Sequence, residues 1–216
     1  MGMNVKKIVM VAIMLLFTVL GGVAATHFSS SSVAQPALST SFIFPTARPV
    51  SAFSLTDQYG QPFDNARLLN KWSLIFVGYT SCPDVCPTTM NKLASVYKAL
   101  AGKVDLQVVF ISVDPGRDNQ QKLLDYINFF NPDFVAATAA HSQLLPLTRE
   151  LGFVYSMVGE GANYQVDHSA SLVLISPKGE RYAIIKPSAD KAGEIPQIKR
   201  QNLIVDLEQI NQFYRG

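Results

Sequence analysis

The stretch WSLIFVGYTSCPDVCPTTM, Trp72 to Met90, holds the only two cysteines in a chain of 216 residues. Its first part, Trp72 to Tyr79, is a continuous apolar run of strand length, which is typical of a strand buried on both faces. Pro87 suits the first position of a helix, so a helix is predicted to begin there. Cys82 and Cys86 are therefore predicted to lie between a buried strand and the start of a helix.

The segments around this stretch indicate the fold class. A second apolar run, Leu106 to Val113, follows the helix, and the order strand, helix, strand predicts a parallel pair. Phe53 to Phe63 predicts two short strands around a glycine turn, and a hairpin is predicted to turn at 177–179. Two further helices and a closing amphipathic helix complete the pattern. The prediction is an α/β layer fold with a central mixed sheet flanked by helices.

The amino-terminal residues predict a membrane anchor. Lys6 and Lys7 precede an uncharged apolar run, Ile8 to Thr26, close to the roughly 20 residues with which a helix crosses a bilayer. Val23 to Ala25 also resembles the cleavage site of a signal peptide, an alternative that the sequence leaves open. Since the run exceeds the usual apolar core of a signal, we expect a retained transmembrane helix. Its positive flank should stay in the cytoplasm and the rest of the chain should be exported.

Composition divides the chain and excludes one class of partner. We expect an anchor over 1–27, a flexible tether over 28–48, which is rich in Ser, Ala and Pro, and a folded domain over 49–216. The chain has 18 basic and 16 acidic residues. Because Lys6 and Lys7 belong to the anchor, the exported part is formally neutral. It lacks the cluster of Lys and Arg that a nucleic-acid surface needs, so nucleic acid is excluded as a partner.

Cys82 and Cys86 are predicted at the carboxyl end of a strand, where open α/β sheets place their sites. The following helix amino terminus offers unpaired N–H groups and partial positive charge, which favour a thiolate. Their spacing lets the two sulfurs bind one ion or form a disulfide. A structural disulfide, a redox pair and a metal site therefore all stay open at this point.

His168, predicted in a loop before the strand Ser171 to Ile175, is the third candidate ligand. With two thiolates it completes a donor set that is soft enough for Cu(I) and compatible with Zn(II). Three protein ligands leave an open position, which suits a metal that is handed on. The other histidines, His27 and His141, are predicted to be solvated loop residues or helix caps and not ligands.

Two carboxylates are candidates for supporting this site. Asp167 is placed to orient the imidazole of His168, as carboxylates often do for metal-binding histidines. Asp114, in the stretch SVDPGRD, is placed to accept hydrogen bonds from the cysteine loop. The same stretch predicts an ion pair between Arg117 and Asp118.

Taken together, GYTSCPDVCPTTM, FISVDPGRD and VDHSASLVLISPKG resemble the Sco/SenC family, over about Phe53 to Lys186. The resemblance implies a thioredoxin-like fold, a single amino-terminal anchor, and one copper ion, Cu(I) or Cu(II), bound by Cys82, Cys86 and His168. It implies a metallochaperone for the dinuclear copper centre of cytochrome c oxidase, whose partner is the copper-bearing subunit or another cuproprotein. It also implies the inner membrane, with the domain in the periplasm of a Gram-negative bacterium.

Two other functions are compatible with the same cysteines. A thiol-disulfide oxidoreductase that keeps the copper-ligand cysteines of its target reduced needs only Cys82 and Cys86. The stretch Phe53 to Phe63 is also similar to peroxiredoxins and glutathione peroxidases, in which one cysteine of low pKa attacks peroxide.

Overall fold

The computed structural model describes residues 4, 10, 13–14, 35–159, 161, 164–191 and 193–216. The chain divides into two units, Met1–Gln35 and Pro36–Gly216, and the second is the subject of this section. The anchor predicted over 1–27 lies almost wholly outside the described residues. Among the residues that are described, no helix combines the length and the apolar character needed to cross a membrane.

Strands and helices follow one another along the second unit as an α/β chain does. The strands are β1 (Ser41–Pro49), β2 (Ser54–Asp57), β3 (Pro62–Asp64), β4 (Trp72–Gly78), β5 (Leu106–Ser112), β6 (Val135–Thr138), β7 (Tyr155–Val158), β8 (Gln165–His168), β9 (Leu172–Ile175) and β10 (Glu180–Ile185). The helices are α1 (Val85–Leu100), α2 (Gln120–Phe130), α3 (His141–Leu151) and α4 (Arg200–Arg215). Eight strands form one sheet in the order β1-β10-β9-β4-β5-β6-β2-β3, while β7 and β8 form a separate pair.

Strand β4 is the centre of the large sheet. It pairs in parallel with β5 and in antiparallel with β9, and every one of its residues is buried. Leu74 and Phe76 face a core built with α1, α2 and α4, whereas Ile75 and Val77 face a second core built with α3. Because both faces are covered, the strand is apolar throughout its length. The predicted mixed sheet with flanking helices is confirmed, as are the parallel pair and the hairpin of β9 and β10.

The last residues of the tether predicted over 28–48 form a strand. Residues 41–49 form β1, an edge strand that pairs in antiparallel with β10. Of these residues only Ser41 is buried, so the strand is held by backbone hydrogen bonds and shows no alternation of apolar and polar side chains. The pattern that predicts a half-buried strand is therefore missing from the sequence.

Strands β7 and β8 are also absent from the sequence-based prediction. They pair in antiparallel with Tyr155 opposite His168, so His168 ends a strand and does not lie in a loop. Val166 is the only buried residue of these two strands. A strand with one buried side chain has no periodicity to recognise.

A buried carboxylate holds the start of the second unit to its last helix. Asp206 of α4 is fully buried and accepts hydrogen bonds from the backbone N–H groups of Ser39, Thr40 and Ser41 at 2.8–2.9 Å, and from the Thr40 hydroxyl at 2.9 Å. Burial acts to raise the pKa of Asp206, but these hydrogen bonds outweigh it and lower the pKa. The ionised carboxylate thus fixes where the chain enters β1.

We expect Asp206→Asn to lower the free energy of unfolding by about 1.5–3 kcal/mol, because charged hydrogen bonds to three N–H groups are weakened. The pKa of Asp206 is lower in the folded state, so this stabilisation is complete above the ordinary aspartate pKa of about 3.9 and is lost as the pH falls below it. Urea unfolding at several pH values measures both effects. Asp133→Asn, at an exposed position, is the control, and equal stability of the two variants would contradict the assignment.

Candidate metal centre

The two cysteines lie where β4 passes into α1. The helix begins at Val85, earlier than the predicted Pro87, so Cys82 lies in the loop and Cys86 lies in the first helical turn. The Cys86 side chain is fully buried, while that of Cys82 is half-buried. The N–H of Cys86 donates to the Cys82 sulfur at 3.5 Å, which gives one unpaired N–H of the helix start an acceptor. Both cysteines are free thiols.

His168 reaches the cysteines from the end of β8. Its Nε2 lies 3.2 Å from the Cys86 sulfur, and its Nδ1 lies 3.1 Å from the carbonyl oxygen of Ser169. Because a carbonyl oxygen can only accept, the ring proton belongs on Nδ1 and the lone pair of Nε2 faces the sulfur. The imidazole also packs edge-on against Phe76 and Tyr79, with ring centroids 5.9 and 6.0 Å away.

Cys82, Cys86 and His168 form one cluster of ligand atoms, all within 4.8 Å of one another. The predicted ligand set is therefore brought together by two separate parts of the fold. Two sulfurs and one imidazole nitrogen are soft or borderline donors, so the set fits Cu(I) and Zn(II) and does not fit Mg²⁺ or Ca²⁺. Since three protein donors do not complete a tetrahedral shell, the site fits an exchangeable ion better than a structural zinc.

The two thiols differ strongly in acidity. A hydrogen bond from the Cys86 thiol is the main cause that lowers the pKa of Cys82 to about 4, and burial of the Cys82 thiol opposes this shift. The pKa of Cys86 is raised, first because its proton is held in the hydrogen bond to Cys82 and second because the thiol is buried. In the metal-free protein Cys82 is therefore the thiolate, and the Cys86 thiol donates the hydrogen bond to it.

The structure does not place Asp167 against the imidazole. Strand residues alternate between faces, so Asp167 is exposed while its neighbours Val166 and His168 turn inward. The Nδ1 of His168 donates instead to the Ser169 carbonyl. A backbone carbonyl therefore takes the orienting role that the sequence analysis gives to Asp167, and a backbone atom leaves no mark in the sequence.

The roles predicted for the carboxylates of SVDPGRD are exchanged in the structure. Asp118, and not Asp114, holds the cysteine loop: it accepts hydrogen bonds from the Thr80 N–H at 2.9 Å and from the Thr80 and Ser112 hydroxyls at 2.6 Å. Arg117 pairs with Asp114 through its Nε at 2.5 Å, and not with Asp118. Both carboxylates are buried, and their order along a short turn does not reveal which one faces which neighbour.

Gly78, the last residue of β4, is a further site residue that the sequence analysis does not single out. A Cβ atom at this position would lie 2.6 Å from the Cys86 sulfur and 2.9 Å from the Phe110 ring. Such distances are far below van der Waals contact, so only glycine lets the first turn of α1 approach the strand. A glycine at the end of an apolar run just before the cysteines is the signal that could have identified it.

The other histidines lie apart from the cluster or outside the described residues. His141 begins α3, and its Nδ1 lies 2.9 Å from the Tyr155 hydroxyl. It is not among the three clustered ligands. His27 falls outside the residues that the structure describes.

Comparisons with known proteins agree with this geometry. The model of the SCO1/SenC family matches residues 45–202. A SCO2-like protein of Rickettsia prowazekii is 34% identical over 183 residues, which are 82% of this chain and 87% of that protein. The copper-bound ScoI structure of Arabidopsis thaliana has 28% identity and a TM-score of 0.65, covering 75% of this chain and 98% of that chain. The copper-bound ScoI structure of Bradyrhizobium japonicum has 28% identity and a TM-score of 0.62, covering 74% of this chain and 98% of that chain.

We expect Gly78→Ala to lower the free energy of unfolding by about 1–3 kcal/mol and to displace the Cys86 sulfur, because the new methyl group has no space. Urea unfolding measures the first effect, and the loss of one tightly bound metal ion per chain measures the second. Gly216→Ala is the control, since its Cβ would lie 3.8 Å from its nearest neighbour, the Gln212 carbonyl oxygen, which is an ordinary contact far from the cysteines. Equal behaviour of the two variants would show that the close contact does not matter.

We expect the ultraviolet thiolate absorbance of the reduced, metal-free protein to rise in a first step near pH 4 from Cys82, while Cys86 stays protonated far above neutral pH because its pKa is raised. In Cys86→Ala the first step should move upward, toward the ordinary cysteine pKa of about 8.5, because Cys82 loses its main hydrogen-bond donor. Tyr97→Phe, at a position that packs against Phe134 away from the cysteines, is expected to leave this step unchanged. Two thiols that titrate together near pH 8.5 would contradict the proposed asymmetry.

Proposed function

The chain belongs to the SCO1/SenC family, and from this we propose that it is a copper metallochaperone in which Cys82, Cys86 and His168 bind one copper ion. Its α/β fold is the thioredoxin-like fold of the copper-bound Sco structures. The observation that carries the proposal is the cluster itself, in which two sulfurs and one imidazole nitrogen lie within 4.8 Å of one another. This donor set matches the preference of Cu(I) for thiolate and imidazole ligands.

The exposure of the three ligands supports transfer rather than storage. Cys86 is buried, whereas Cys82 and His168 are only partly covered, so the site opens on the side of the latter two. A thiolate from a target protein can therefore reach the ion without unfolding of α1. Since three protein donors leave a coordination position open, ligands can be exchanged one at a time and the ion need never be released into water.

We further propose that the recipient is the copper-bearing subunit of cytochrome c oxidase, and that the apolar run after Lys6 and Lys7 anchors the chain in the inner membrane with the domain in the periplasm. The family resemblance supports the first proposal. The length of the run and its positive flank support the second. An oxidising compartment also requires that Cys82 and Cys86 be kept reduced before they can bind copper.

A second function is favoured by the acidity difference between the two cysteines. A thiolate at Cys82 beside a protonated Cys86 is the arrangement of a thiol-disulfide reductase. Cys82 would attack a disulfide of the target and release one thiolate. Cys86 would then lose its proton and displace the second, so that the target disulfide is reduced and a Cys82–Cys86 disulfide forms. This chemistry does not require His168.

We expect the reduced full chain in detergent to bind one Cu(I) ion in a shell of two sulfurs and one nitrogen, as measured by copper analysis and X-ray absorption. His168→Ala should remove the nitrogen and weaken binding at least about 100-fold, since even changes to groups behind the ligands cost roughly 10–100-fold. Binding should also weaken on acidification, because protons compete for the three donors.

Tyr97→Phe is the control, because Tyr97 packs against Phe134, away from the cluster and from the hairpin that carries His168. It should bind copper as the unaltered chain does. A chain that binds no copper, or a shell that is the same in His168→Ala, would overturn the metal site. If the metal site is overturned in either way and His168→Ala keeps full disulfide reductase activity, the second function is established instead.

A further inference from the structure

The hairpin of β7 and β8 brings His168 to the cysteines, yet it contributes little to either core. It belongs to a separate two-stranded sheet, and Val166 is the only buried residue of the two strands. Burial of one apolar side chain stabilises a segment only modestly, which is little for a segment that must hold a metal ligand in place. The position of His168 therefore depends on the polar contacts at the ends of the hairpin.

Tyr164, directly before β8, makes several of these contacts. Its hydroxyl donates a hydrogen bond to Asp114, and its carbonyl oxygen accepts one from the Arg117 Nη1 at 2.8 Å. The Arg117 guanidinium also lies 3.7 Å from the centre of the Tyr164 ring, a close cation–π contact. One residue of the hairpin is thus held by its side chain, by its backbone and by its ring face.

Asp114 and Arg117, the two residues that Tyr164 contacts, form an ion pair with each other. Asp114 is completely buried, and Arg117 neutralises it through a hydrogen bond of 2.5 Å from Nε. A buried carboxylate that loses such a partner is strongly destabilised, so the pair is expected to stay closed. The hydrogen bond to Asp114 raises the pKa of Tyr164, which keeps its hydroxyl protonated as a donor.

The same short turn also holds the cysteine loop. Asp118, four residues after Asp114, accepts hydrogen bonds from the N–H and the hydroxyl of Thr80. Arg117 lies 5.5 Å from the ring of Tyr79, and the Tyr79 hydroxyl donates to the Gln165 side chain at 2.8 Å. The turn 114–118 therefore contacts the segment that carries the two sulfurs and also the segment that carries the nitrogen.

We propose that Asp114, Arg117 and Tyr164 form a clasp that positions His168 against Cys86 and controls how readily the imidazole leaves a bound copper ion. With the clasp closed, all three donors face one point. When the clasp opens, the hairpin moves away with His168, while Asp118 continues to hold the cysteine loop. The three residues contact no ligand atom and act only by positioning the hairpin. The part of the proposal that concerns copper rests on the proposed function.

The clasp itself is tested without metal, by nuclear magnetic resonance on the reduced full chain in detergent. The unaltered protein should show a nuclear Overhauser effect between the imidazole of His168 and the β-protons of Cys86, whose Sγ lies 3.2 Å from Nε2. Tyr164→Phe removes only the hydroxyl, and Arg117→Lys keeps the charge but loses the forked donor geometry. Both variants should weaken this signal severalfold.

Tyr97→Phe is the matched control, because Tyr97 is a partly buried tyrosine that packs edge-on against Phe134, away from the hairpin. It should keep the full signal. A merely structural role for the clasp would lower the urea midpoint of both clasp variants and leave the signal unchanged, and this result would overturn the proposal. Because Tyr164→Phe and Arg117→Lys change the clasp in different ways, the second variant still tests the proposal if the first one fails to fold.

The copper arm measures transfer of Cu(I) from the full chain to a chelator. Both clasp variants should release copper about tenfold faster than Tyr97→Phe, as expected when one charged hydrogen bond is lost. If the nuclear Overhauser effect is weakened in the clasp variants but their rate of copper release is unchanged, the proposal that the clasp controls copper release is wrong. If the unaltered chain binds no copper, the proposed function fails, while the metal-free measurement still decides whether the clasp positions His168.

Discussion

The parallel pairing of β4 with β5 is the constraint on which the site depends. Parallel strands end at the same edge of a sheet, so the loop after β4 and the turn after β5 are neighbours whatever their sequences. One carries Cys82 and Cys86, and the other carries Asp118, which accepts hydrogen bonds from Thr80 of the cysteine loop. The sulfurs are thus held against a rigid, fully buried strand pair.

Close packing at the end of β4 gives the two cysteines unequal surroundings. Gly78 lets α1 approach the strand so closely that Cys86 is buried, while Cys82 stays in the loop and is partly exposed. The hydrogen bond between the thiols then lowers the pKa of Cys82 and raises that of Cys86, and burial raises the pKa of Cys86 further. The same asymmetry would suit either proposed function, copper transfer or disulfide reduction, because each requires one accessible thiolate beside a second sulfur held close to it.

The nitrogen donor is held in a different way from the sulfurs. His168 lies on a hairpin whose two strands have one buried side chain between them, and charged and aromatic contacts from the turn after β5 secure the hairpin. Apolar cores resist small displacements, whereas a few polar contacts can open and close as a unit. If the hairpin moves as proposed, a site with two firmly held ligands and one movable ligand would be suited to giving up a copper ion in steps.

The sequence by itself determined the buried strands, the helix after the cysteines, the closing helix and the three ligand residues. These features follow from local patterns: continuous apolar runs, helix-starting and helix-ending residues, and cysteines at a strand end. Strands β1, β7 and β8 were not predictable, because almost none of their side chains are buried. Only the tertiary structure decided that Ser169 and not Asp167 orients the imidazole, and that Asp118 and not Asp114 holds the cysteine loop. Those roles depend on which face a side chain turns to and on contacts between residues far apart in the chain, and neither is written in the local order of residues.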